Sequence, residues 1–189
     1  MSPLPTASAL PPTMAVRDML LDMLGRDITV APSEPWAPTL SDPGAVAAYI
    51  DDESRLRALI CCDLELAVAL GSSIALIPAK TAANSVEEGR MTPEMADNLS
   101  EVLNIFSALF NRPSWPHVRL YLVYLPGEPQ PADLSAQARL LGKREDIQVA
   151  VSGYGSGKLE RGIVWGARSL GRGRRRGPTG ENWSGGRGG

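Results

Sequence analysis

Between Met95 and Phe110 apolar residues recur at helical spacing: Met95, Leu99, Val102, Leu103, Phe106, Leu109 and Phe110. At 100° per residue they fall within about 60° either side of one direction, and Asp97, Glu101, Asn104 and Ala108 gather on the opposite side. Thr92 supplies an N-cap and Pro93 the first helical position, while Pro113 and Pro116 stop the run. The pattern predicts a helix over 93–110, about 27 Å long at 1.5 Å per residue.

Elsewhere the pattern is shorter in reach. Thr13 to Leu24 reads as a helix capped by Thr13 and stopped by Gly25, and Asp27 to Val30 as a brief strand. Pro32, Pro35, Pro38 and Pro43 enforce a loop around Trp36. Ala45–Ile50 and Leu56–Cys62 are apolar runs joined by Asp51-Asp52-Glu53-Ser54, which predicts a hairpin. Asp63 caps a helix of small residues that ends near Gly71, with the stretch Ile74–Ile77 left open between helix and loop. Thr81–Glu88 predicts a short helix ended by Gly89, Val118–Leu125 a strand, Leu134–Leu141 a short helix and Ile147–Val151 a last strand. No internal repeat is visible. The fold class expected is α+β: a small mixed or antiparallel sheet packed against a few helices.

From Gly153 onward glycine and arginine dominate, including Arg174-Arg175-Arg176, and little remains to build a core. The expected organisation is a flexible proline-rich arm over 1–13, one domain over 14–152, and a disordered tail over 153–189. Gly153-Tyr154-Gly155-Ser156-Gly157-Lys158 has the wrong glycine spacing for a Walker A loop, Leu159 stands where a hydroxyl should hold magnesium, and no helix follows for a Rossmann turn.

Composition adds four constraints. With 43% hydrophobic and 5% aromatic residues, 189 residues can bury one mainly aliphatic core. Residues 158–189 carry net +6 and residues 1–157 net −8, so the folded part is acidic and suited to a basic partner, with nucleic acid only through the tail. No run of apolar residues is long enough to span a membrane and Met1–Thr13 lacks the pattern of a secretion signal, which predicts a cytoplasmic protein. Adjacent Cys61 and Cys62 on a strand point to opposite faces and read as two buried thiols, and with a single histidine, His117, no metal site is expected.

The polar face of the 93–110 helix is the one candidate for chemistry. A surface helix turns polar residues outward in any case, so solvated surface is one reading and a partner surface the other. Two details favour the second. Asn104 is a poorer helix former than the residues an exposed mid-helix site usually takes, by around half a kcal/mol. Met91–Asn111 contains Glu94, Asp97 and Glu101 and no Lys or Arg, so Asp97 and Glu101 are like charges at i,i+4.

Asp97-x3-Glu101-x2-Asn104 and the order of elements resemble the CheC/CheX/FliY phosphatases of bacterial chemotaxis, whose motif is Asp or Ser, then x3-Glu-x2-Asn on a helix, with a proline on the next element. Pro126 follows Asn104 by 22 positions, and Ser107-Ala108 supplies the small pair. The resemblance covers roughly Val16 to Val151. It implies hydrolysis of the aspartyl phosphate of a response-regulator receiver domain, with Glu101 pairing to a receiver lysine and Asn104 orienting the attacking water. Asp97 and Ala108 would be partner contacts. No cofactor of its own is implied, because the receiver supplies Mg2+. One motif copy is the CheX arrangement, which implies a homodimer. The glycine that often closes the motif is absent, and the proline-rich stretch around Trp36 has no counterpart. The alternative is a non-catalytic interaction module that uses the same acidic face.

Overall fold

The structure, a computed structural model, describes residues 10–113, 115–131, 134 and 143–164. Helix α1 (Thr13–Leu24) is followed by strands β1 (Ile28–Pro32), β2 (Gly44–Asp51) and β3 (Leu56–Asp63). Helices α2 (Leu64–Ser73), α3 (Ala79–Glu87), α4 (Pro93–Ile105) and α5 (Ser107–Phe110) come next, then β4 (Val118–Tyr124), β5 (Lys143–Val151) and β6 (Gly155–Ile163). The strands form one six-stranded sheet in the order β1-β5-β6-β3-β2-β4. All pairings are antiparallel, so the α+β expectation holds.

One face of the sheet carries the helices. Ala45, Ala47 and Tyr49 of β2, Ile60 and Cys62 of β3, and Val149 and Val151 of β5 meet Val16 and Leu20 of α1, Leu66 and Leu70 of α2, and Val102 and Phe106 from the α4–α5 segment. The opposite face packs Val46, Ala48, Leu59 and Cys61 under Trp36 from the proline-rich loop and under Leu134. With both faces covered, β2 is buried along its whole length, which is why it reads as an unbroken apolar run. The two cysteines, free and buried, fall on opposite faces as their strand parity requires.

The strand order is palindromic. Exchanging β1, β2 and β3 for β4, β5 and β6 reverses the sequence of strands and leaves the sheet unchanged, with the exchange axis between β3 and β6. A helix precedes each set of three strands, α1 in one half and α4–α5 in the other. The repeat that the sequence does not display is therefore present in the topology.

The domain boundary expected at Gly153 is wrong. The chain turns at Ser152-Gly153-Tyr154 and returns as β6, in the middle of the sheet, paired to β5 over Gly155–Ile163 and to β3 over Leu159–Ile163. The features that suggest a tail have structural reasons here. A Cβ on Gly157 would collide with the Asp63 carboxylate and the backbone of Leu66, so glycine lets the start of α2 lie on the strand. Asp63 caps α2 through Leu66 N at 2.9 Å and accepts from Lys158 N at 2.7 Å. Arg161 is wholly buried, ion-paired to Glu145, and donates to Pro11 O at 2.7 Å and Thr13 Oγ1 at 3.0 Å. Pro11–Thr13 is thus tied to the domain, and Thr13 opens α1 as its first residue, behind Pro12 at the cap. The remainder of the arm (1–9), the expected helix beyond Leu134, and the tail from 165 lie outside the described residues.

Candidate functional site

Helix α4 begins as its sequence dictates: Thr92 Oγ1 accepts from Met95 N at 3.3 Å, Pro93 stands in the first turn, and Glu94 faces the positive end of the dipole. It is seated on α2. A Cβ on Gly71 would strike the Met95 backbone, so the two helices approach as closely as glycine allows, and Asn98 Nδ2 donates across the contact to Gly71 O at 3.1 Å. For the same reason α2 runs through Gly71 to Ser73 and does not end at it.

The expected helix over 93–110 is interrupted. Regular α4 ends at Ile105, Phe106 forms a turn, and α5 resumes at Ser107. Asp97, Glu101 and Asn104 lie on α4 and Ala108 on α5, and all four are exposed. Met95, Leu99, Val102, Leu103 and Phe106 are each fully buried on the opposite side. Glu101 and Asn104 are one turn apart, a spacing that sets Cβ atoms about 5–6 Å from each other. Among the described residues neither Asp97 nor Glu101 has an ion-pair partner and the Asn104 amide makes no side-chain hydrogen bond. The carboxylate and the carboxamide are therefore exposed on a helix seated firmly on the core.

Beside this face runs an open groove between Ala15, Met19 and Met23 of α1 and Ile105, Ala108 and Leu109 of the α4–α5 segment. Asp18 and Asp22 edge it on the α1 side. Among the described residues Ile105 is one of few exposed large apolar side chains, at 42%. Helix α1 does not repeat the Glu-x2-Asn pattern, so the two halves of the sheet share topology and only one carries the motif. Pro126 lies half-buried in the turn after β4, where Glu128 N bonds Leu125 O at 3.0 Å. Among the described residues no three His, Cys, Asp or Glu side chains could together hold a metal ion, and no helix is long and apolar enough to cross a membrane.

The residues that seat α4 carry little signal in the sequence. Asn98 looks like one more polar surface position, and Tyr49 like a β-strand core residue. Their contacts are long-range, and only Gly71 in a run of small residues hints at a close helix crossing.

No protein-family model and no curated protein matches the chain. Among solved structures, it is similar to the FliM middle domain from Vibrio alginolyticus (12% identity, 80% of this chain and 87% of that one, TM-score 0.49). It is also similar to a CheX–CheY–BeF3–Mg complex from Borrelia burgdorferi (9% identity, 80% and 94% covered, TM-score 0.41). The FliY structure from Thermotoga maritima is a third (14% identity, 78% and 81% covered, TM-score 0.39). The solved structures similar to this chain thus include FliM, CheX and FliY proteins.

Proposed function

We propose that the protein is a phosphatase of the aspartyl phosphate on a response-regulator receiver domain, with Glu101 and Asn104 as its working pair. The observation that carries the reading is that both side chains of the Glu-x2-Asn motif are exposed and unpartnered, one turn apart, on a helix otherwise locked into the core.

The residue types suit the chemistry. An acyl phosphate is already reactive and the receiver brings its own magnesium ion, so the phosphatase has only to hold a water in line with the phosphorus. The Asn104 carboxamide both donates and accepts, and can orient that water without repelling the phosphoryl oxygens, as a second carboxylate would. Glu101 supplies the charge that pairs with a receiver lysine, and Asp97, one turn earlier, extends the acidic contact. Ala108 keeps the approach to Asn104 low, and the apolar groove beside it offers the partner further contact.

The test is phosphate loss from a cognate phosphorylated receiver with Mg2+. The intact protein is expected to exceed the receiver's own decay, Asn104→Ala to abolish the excess while binding persists, and Glu101→Lys to abolish binding. Binding that is lost in Glu101→Lys, with no acceleration by the intact protein, would identify a non-catalytic interaction module instead.

A further inference from the structure

Tyr49 is wholly buried in β2 beneath the end of α4. The strand is irregular there toward both neighbours: the register shifts between Tyr49 and Ile50 against β3, and between Ala48 and Tyr49 against β4. In both cases the extra residue lies on the neighbour, Arg57 on β3 and Tyr121 on β4, and such bulges increase the local twist of the sheet around Tyr49. The Tyr49 hydroxyl donates to Leu103 O at 2.7 Å, and its ring packs on Phe110 with centroids 5.3 Å apart and planes at 51°. Leu103 belongs to α4 and Phe110 to α5, so one residue grips the chain on both sides of the interruption at Phe106.

Asn104 directly follows the carbonyl that is gripped. In an uninterrupted helix the Leu103 carbonyl would accept from the Ser107 amide. A buried hydroxyl that reaches this oxygen from the sheet favours a helix that ends here. Burial, with the Cys62 thiol adding to it, pushes the phenol well above its ordinary range, so the hydroxyl stays a neutral donor.

We infer that Tyr49 is a positioning residue: by holding Leu103 O and Phe110 together it ends α4 at Ile105 and fixes the direction in which the Asn104 carboxamide leaves the helix. The inference rests on the reading of Asn104 as the group that orients water. An angstrom of misplacement at such a group lowers turnover by about a hundredfold, and substrate docking, which depends on Glu101, is left alone.

The experiment compares the full chain with Tyr49→Phe, which keeps the ring on Phe110 and removes only the hydroxyl. Steady-state hydrolysis of a phosphorylated receiver with Mg2+ is measured together with NMR of asparagine-labelled protein. Tyr49→Phe is expected to unfold cooperatively, to keep KM within about twofold and to lose kcat by about tenfold or more, with the Asn104 side-chain amide resonances shifted and more mobile. An unchanged kcat with unmoved Asn104 resonances overturns the inference. So does a wild-type spectrum without a slowly exchanging Tyr49 hydroxyl proton close in space to Leu103, a measurement that needs no variant. If the wild type shows no hydrolysis but Tyr49→Phe still displaces the Asn104 resonances, the phosphatase reading fails and the positioning role stands.

Discussion

Replacing Glu160 by glutamine should change how stability depends on pH. Glu160 sits on β6, on the sheet face away from the helices, only 1% exposed, with Arg144 Nη1 at 3.4 Å. That arginine is shared with Asp146 at 2.7 Å and also donates to Trp36 O. Burial is the main influence on the Glu160 carboxyl; Arg144 opposes it, Asp146 reinforces it, and the result is pushed up from 4.5 to about 7. A carboxyl that binds its proton more tightly in the folded protein than in the unfolded chain favours folding less as pH rises. The effect is absent below the unfolded value, develops between 4.5 and about 7, and is complete above it. A rise of this size corresponds to roughly 3 kcal/mol. Glutamine mimics the protonated form at every pH. Urea unfolding followed by far-ultraviolet circular dichroism at intervals from pH 4 to 8.5 should therefore give nearly equal stabilities for Glu160→Gln and wild type at the acid end. The variant should gain by up to roughly 3 kcal/mol at the alkaline end. A difference that stays constant across the range would refute the assignment of the titration to this burial.

Asp51 carries the opposite sign: burial would raise it, but the Arg55 amide and the Arg57 guanidinium outweigh burial and hold it below its ordinary value. Its contribution is lost as pH falls, and acid titration of Asp51→Asn by the same method should show a shallower decline than wild type. Gly71→Ala puts a methyl against the Met95 backbone and should destabilise by roughly 1–3 kcal/mol in urea while loosening α4 in hydrogen exchange. Asp63→Ala removes the α2 cap and the bond to Lys158 N together, and should cost about 1–2 kcal/mol by thermal unfolding. A chain ending at residue 152 lacks β6 and should fail to unfold cooperatively by calorimetry.

Most of the architecture is legible where local chemistry dominates. The capping pair Thr92-Pro93, the hairpin around Asp51–Ser54, and the Asp63 cap each act within a few residues, and each element starts or turns where it should. The outward face of α4 follows from apolar spacing alone, and Glu101 and Asn104 are exposed as that spacing requires. What the sequence conceals is set by partners far along the chain. Gly157 and Arg161 look like solvated tail because the Asp63 carboxylate and the Glu145–Thr13 pair that justify them lie about 90 or more positions away or in another strand. Helicity through Phe106 is equally reasonable from propensity, and it is broken by Tyr49, whose hydroxyl arrives from 54 residues earlier. The palindromic sheet leaves no trace in residue identity because topology constrains burial and strand length, and many sequences satisfy both.

The central place of β6 bears on how the protein is made. During vectorial synthesis β3 emerges about a hundred residues before the strand that must lie beside it. Until the last hairpin has cleared the ribosome, the nascent chain exposes apolar β3 without its neighbour, and closure of the sheet must bridge that long loop. Slow, late assembly follows, with a window in which a chaperone has the most to protect.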